Sequence, residues 1–254
     1  TTALGAEQPV YGLQARGLDG SGVLPASVKE MAADYLQQVR KVQPAGPYNI
    51  LGWSFGGLVA HEMAVQLQQS GEQVGQLTVL DAFPSGSSGS EADGGVGAQE
   101  AGGEAESAEA AADGGVGTVL GLLLEFFGYD PSVWEGETLT YPRFLEIARD
   151  RTGMLATFDE QRVAAICRIF LNNGALSRAH TPGRFSGDVL VFAARETDPQ
   201  LAAELWLPHL DGGKPEVRSV EHAHGEMGRP DALGGIGRVL LPRLQGEANG
   251  SERA

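Results

Sequence analysis

Cysteine is almost missing from this chain of 254 residues: Cys167 stands alone, so no internal disulfide can form, and a reducing, cytoplasmic setting is expected. Positive charge is scarce too, with 18 Lys and Arg against 33 Asp and Glu and a formal net charge of −15. An acidic surface repels nucleic-acid backbones and anionic membranes, so neither is expected as a partner. No uninterrupted apolar stretch reaches about 18 residues, and the opening TTALGAEQPV lacks the basic and apolar regions of a secretory signal. An initiating Met is also lacking, and the chain is expected to be a piece of something longer.

What is present is ordinary globular composition, 42% hydrophobic and 20% charged, at a length that suits one domain with a core, or one domain plus an insertion. One segment departs from it. Ser85 to Gly117 holds seven acidic residues and ten Gly, with no Lys, Arg or aromatic. It cannot bury enough apolar surface to offset chain entropy, so disorder is expected over 85–117. Within it ADGGVG occurs at 92–97 and again at 112–117, a low-complexity duplication rather than a solenoid repeat.

On either side the periodicity is regular. Ser27-Val28-Lys29-Glu30 has capping-box form, and apolar residues at 28, 31, 32, 35, 36 and 39 follow at helical spacing until Pro44 and Gly46. Pro9 to Gln14 reads as a short strand. Tyr48 to Leu51 is another, followed by a helix from Gly57 to Gln69 closed by Gly71, and by a strand over Leu77 to Ala82. Three helices are expected near Thr118–Phe127, Tyr141–Leu155 and Asp159–Leu171. Strands return at Asp188–Ala194 and Glu216–Glu221, and a last helix covers Ala232–Leu244. Alternation of strands and helices predicts an α/β fold: a mainly parallel sheet covered on both faces, with the helical stretch inserted between two strands.

Between the strand at 48–51 and the next helix stands LGWSFGG, residues 51–57. A serine on a tight strand-to-helix turn needs small neighbours, because a Cβ at Gly52 or Gly56 is expected to strike the strand or the helix. Such a turn lifts the Ser54 hydroxyl above the sheet and aims the N–H of Phe55, at the start of the helix, toward an oxygen that develops negative charge. Glycine-rich turns also bind phosphates or simply turn; strand before and helix after favour the nucleophile.

The base and its orienting acid follow the serine in the order Ser, acid, His. His222 and His224 come after the last strand, and His224, heading HGEM, is favoured, with His222 shaping the loop. His61, on the helix after the turn, is expected to be structural or at the surface, and His180 and His209 to be exposed. Asp81 and Asp198 both lie at strand ends, either could hold an imidazole, and spacing does not choose between them; Glu196 is a weaker third. Cys167, in AAICRIF, reads as packing.

The runs PVYGLQARGLD, VQPAGPYNILGWSFGGLVAHEMA, LTVLDAFP, GDVLVFAARETD, LWLPHLDGG and VEHAHGEM together resemble the thioesterase domain that ends nonribosomal peptide synthetases, an α/β-hydrolase with polyketide-synthase relatives. The resemblance implies Ser54 as nucleophile, Asp81 as the acid, and His224 as base with Met227 three residues on. It also implies a helical lid at 84–186 between core parts at 1–83 and 187–254. Family members carry an HPAGG-like loop before the strand PVYGLQ that donates a second oxyanion N–H, and nothing like it precedes Gln8. The N-terminal strand is therefore expected to be missing.

The implied substrate is an acyl or peptidyl thioester on the phosphopantetheine arm of a peptidyl carrier domain, in the same polypeptide. No metal and no directly bound cofactor are expected. Ser54 takes the acyl group as an ester, which water or a nucleophile of the chain itself then releases as an acid or a macrocycle. Trp53 is a candidate for the substrate channel or the core. Leu122, Leu123, Phe126 and Phe127 are candidates for an apolar lining or for the lid's own core, which an amphipathic pattern does not distinguish. Two other readings are a stand-alone editing thioesterase or esterase acting on small acyl groups, and a folded remnant that docks a carrier domain without turnover.

Overall fold

A computed structural model of the chain describes residues 2–5, 7–84, 108–150 and 154–251. These divide into two compact units, one within Thr1–Leu13, Pro25–Gly94 and Leu176–Ala254, the other within Gln14–Leu24 and Gly95–Ala175.

The first unit is built on four parallel strands in the order β1 (Tyr48–Trp53), β2 (Val74–Leu80), β3 (Val189–Ala193) and β4 (Pro215–Ser219). Side chains alternate across a sheet, and here both sides are apolar, as a parallel sheet buried on two faces requires. Leu77 and Val79 of β2 and Val189 and Val191 of β3 join Leu58, Ala64 and Val65 of α2 (Phe55–Gln69) and Ala202 and Trp206 of α6 (Pro199–Trp206) in one cluster. Leu80, Leu190 and Phe192 point the other way, to Met227 and to Ile236 and Leu240 of α7 (Pro230–Ser251). Helix α1 (Val28–Val42) packs Val28, Met31 and Leu36 against Val59, Met63 and Leu67 of α2. Its start follows the sequence closely: the Ser27 hydroxyl accepts the Glu30 N–H at 3.0 Å, while the Glu30 carboxylate reaches past Ser27 to the Ala26 N–H at 2.8 Å.

The second unit contains α3 (Ala108–Phe126), α4 (Tyr141–Arg149) and most of α5 (Glu160–Ala179), with its own core of Leu120, Leu124, Trp134, Phe144, Ile147, Val163 and Cys167. Burial raises the Cys167 thiol to about 11, as its packing role predicts.

Several expectations are corrected. Residues 9–14 are not a strand: Val10, Tyr11 and Leu13 are exposed, and among the described residues no neighbouring strand takes up their backbone, without which an extended segment has nothing to hold it. The expected disorder at 85–117 falls mostly outside the described residues, but 108–117 is the first half of α3, where AEAAA favours helix enough to carry the glycines that follow. Helix α4 stops at Arg149, α5 continues to Ala179 through Asn172, Asn173 and Gly174, and the last helix runs from Pro230 to Ser251. Helix α6 was not anticipated, although Asp198-Pro199 is a helix-start signal: the Asp198 carboxylate accepts the Gln200 N–H at 2.8 Å with Pro at the first helical position. Among the described residues no helix is long and apolar enough to cross a membrane, and no group of three or more His, Cys, Asp or Glu side chains is arranged to hold a metal ion.

Candidate active site

Ser54 occupies the single position between the end of β1 and the start of α2, with φ 52° and ψ −130°, a conformation that L side chains rarely adopt. Backbone bonds clamp it: its N–H donates to the Leu80 carbonyl at 2.9 Å and its own carbonyl accepts the Gly57 N–H at 2.8 Å. A Cβ on Gly52 would lie 2.0 Å from the Gly56 carbonyl oxygen, so strand and helix cross there with room for a hydrogen only. The steric role expected of Gly56 belongs instead to Gly57. Nothing lies within 4 Å of a Cβ built on Gly56, whereas one on Gly57 would stand 2.4 Å from the Ala82 Cβ. Phe55 is the first residue of α2, so its N–H has no carbonyl four residues back within the helix to bond.

The imidazole of His224 meets Ser54 at 3.1 Å, Nε2 to Oγ, and Asp81 at 2.7 Å, Nδ1 to Oδ2. Both His224 and Asp81 are 7% exposed. Asp81 follows β2 with φ 46°, and its N–H donates to the Phe192 carbonyl at 2.7 Å. Its second oxygen, Oδ1, accepts the Ala194 N–H and the Thr197 hydroxyl, each at 2.9 Å. Burial pushes the Asp81 carboxyl upward, but the bonds from His224, Ala194 and Thr197 outweigh it and hold the carboxyl below its usual range. An ionised acid of this kind keeps the Nδ1 proton in place and leaves Nε2 free to accept one.

The geometry separates the candidates that spacing left open. Asp198 caps α6, and Glu196 accepts the backbone N–H of His224 at 2.7 Å, serving the backbone of His224 and not its ring. His222 turns away to Asp231, at 2.9 Å. Met227 is fully buried beneath the His224 turn. His61 is structural, wholly buried against Trp206 at a ring separation of 5.0 Å. The expected exposure of His180 and His209 is corrected: His180 is buried 3.8 Å from the Glu62 carboxylate, and His209 is half-buried against Trp206 and His61, because each packs against a residue of α2, Glu62 or His61.

The Trp53 ring lies 5.5 Å from the His224 ring, centre to centre, and packs partly against the cluster around Leu80 and Phe192. In the second unit the stretch GLLLEFF divides: Leu124 is core, Leu122 and Leu123 are half-buried, and Phe126 is 46% exposed with its ring edge-on to Phe127. Thr197 was not singled out by sequence reasoning. Its place one residue before an Asp-Pro helix start carried no sign of the contact with Asp81, 116 positions away.

The profile of the thioesterase domain family matches residues 2–181. The chain is 33% identical over 247 residues to a dimodular nonribosomal peptide synthase of Bacillus subtilis (strain 168), which covers 96% of this chain and 10% of that protein. It is 36% identical over 243 residues to malpibaldin synthetase of Mortierella alpina, covering 94% of this chain and 4% of that protein. The chain thus spans a tenth or less of the length of these curated relatives. Among solved structures, the NocB thioesterase domain in covalent complex with a fluorophosphonate nocardicin G analogue superposes with a TM-score of 0.58 at 22% identity, over 91% of this chain and 81% of that one. At that identity the likeness speaks for the fold alone, an α/β-hydrolase whose parallel sheet is flanked by helices. With the profile matching well over half of its residues and these relatives aligned along nearly all of it, the chain belongs to the thioesterase domain family.

Proposed function

We propose that this chain releases an acyl or peptidyl group from the phosphopantetheine arm of a peptidyl carrier domain in the same polypeptide, through an ester on Ser54, at the end of nonribosomal peptide assembly. The observation that carries the reading is the unbroken relay Ser54 Oγ, His224 Nε2, His224 Nδ1, Asp81 Oδ2, with contacts of 3.1 and 2.7 Å. His224 Nε2 takes the hydroxyl proton as Oγ attacks the thioester carbon, and the Phe55 N–H at the head of α2 faces the oxyanion. The C–S bond breaks, the sulfur leaves with the proton from His224, and the acyl group stays on Ser54. Water, or an amine or hydroxyl of the bound chain, then gives its proton to Nε2 and attacks the ester, and Ser54 regains its proton as the product departs as acid or macrocycle. The chain's own side chains supply every proton transfer, and phosphopantetheine arrives as part of the substrate.

Trp53, beside the His224 ring, and the apolar surface of Phe126 and Leu122 are proposed to contact the acyl chain. Residues 84–186 are proposed as the insertion that governs access of water to the ester. Intact mass after brief exposure to a peptidyl thioester tests the reading. The parent chain gains the acyl mass and Ser54→Ala does not; an adduct on the Ala variant, or none on a folded parent, counts against it.

A further inference from the structure

We infer that Thr197 is a positioning residue for this reaction, the side chain that sets which oxygen of Asp81 faces His224; the inference rests on the reading of Ser54, His224 and Asp81 as a catalytic set. A carboxylate has two equivalent oxygens and turns easily about its Cβ–Cγ bond. Asp81 stands just past the end of β2 with positive φ, and the bond from its N–H to the Phe192 carbonyl of β3 at 2.7 Å fixes its backbone but not the turn of its carboxylate. Two donors hold Oδ1, the Ala194 N–H and the Thr197 hydroxyl, and leave Oδ2 to His224 Nδ1 at 2.7 Å. The Ala194 N–H is backbone and would be there with any residue. The hydroxyl depends on residue type.

Its aim is built in. The Thr197 N–H donates to the Ala194 carbonyl at 2.9 Å, a turn that carries the hydroxyl back beside the Ala194 N–H and onto the same oxygen. A β-branched side chain has few rotamers, so the donor is held ready. The same turn also ties down the loop of the base. Arg195 donates its N–H to the His222 carbonyl at 2.9 Å, and the Glu196 carboxylate accepts the His224 N–H at 2.7 Å. Residues 194–197 thus register the acid and the base against each other, although the two lie 143 positions apart in sequence.

The test compares Thr197→Val, Thr197→Ser and Ser54→Ala with the parent on one peptidyl thioester, by kcat, KM and melting temperature. Val keeps the shape and removes the donor; a hydrogen bond to a charged group in a buried site is worth about tenfold to a hundredfold in rate. The expected result is a kcat lowered by about that factor with KM within about twofold, and recovery to within about threefold of the parent in the Ser variant. A Val variant at parent kcat overturns the inference, as does a Ser variant as slow as the Val one, since a hydroxyl that only anchors the loop changes melting and not kcat. Thr197→Ala replaces Val if the Val chain does not fold. Turnover by Ser54→Ala sinks the catalytic reading and the inference with it, whereas an inactive Ser54→Ala beside a fast Val variant sinks the inference alone.

Discussion

Replacing the three glycines around Ser54 by alanine, one at a time, separates two accounts of the G-x-S-x-G turn. A motif reading makes Gly52 and Gly56 equally necessary; the structure ranks them differently. At Gly52 an added Cβ meets the Gly56 carbonyl oxygen at 2.0 Å and the Gly57 nitrogen at 2.7 Å. Both are backbone, so strand and helix must part by about 1 Å or more, against an interior packed like a crystal. The cost lies at the top of the overpacking range, about 3 kcal/mol or beyond. At Gly57 the obstacle is the Ala82 Cβ at 2.4 Å, next to Asp81, and about 1–3 kcal/mol is expected. At Gly56 nothing lies within 4 Å, and Ala gains up to about 1 kcal/mol over Gly inside a helix. Urea unfolding followed by circular dichroism gives the three differences. Gly56→Ala should be as stable as the parent or slightly more so, with Gly57→Ala below it and Gly52→Ala lowest. A Gly56→Ala chain destabilised as much as Gly52→Ala refutes the steric argument.

Burial holds His61 neutral, with its ring lowered from 6.5 to about 4. The unfolded chain therefore takes up a proton near pH 6.5 that the folded chain refuses until near pH 4, and stability falls as pH drops through that window. Between pH 7 and 4.5 the loss attributable to this ring is about 2–3 kcal/mol, and urea unfolding of His61→Phe should show a pH slope flatter by that amount; equal slopes reject it. Glu196→Ala removes the acceptor for the His224 N–H and should cost about 1 kcal/mol in a thermal melt, with slower acylation of Ser54. Glu196→Gln, which keeps an acceptor oxygen, should recover most of both.

The legible part of the fold is the part whose cause is local. Ser27 and Glu30 mark the start of α1 because cap and helix lie within four residues of each other, and the apolar runs of β2 and β3 read as strands because both faces of a parallel sheet are buried. The strand expected at 9–14 failed for the converse reason: Val10, Tyr11 and Leu13 have the right composition, but a strand needs a hydrogen-bonded neighbour, which composition does not report. Helix α6 is legible in Asp198-Pro199, a capping carboxylate followed by Pro at the first helical position.

By itself the sequence determined that Ser54 sits on a turn between strand and helix, since Gly52, the strand before it and the helix after it are neighbours along the chain. Only the tertiary structure decided what meets that serine. Residue chemistry left Asp81, Asp198 and Glu196 open as acids, and they part company only when β2 and β3 pair in register and deliver Asp81 beside Ala194 and Thr197. His224 lies 170 positions from Ser54 and is brought within 3.1 Å by the packing of its turn on the far face of the sheet, with Met227 buried beneath it. Local conformation is set by short-range sterics and hydrogen bonding, which a sequence displays directly. A catalytic contact is set by the register of strands far apart in the chain, and that appears only when the core closes.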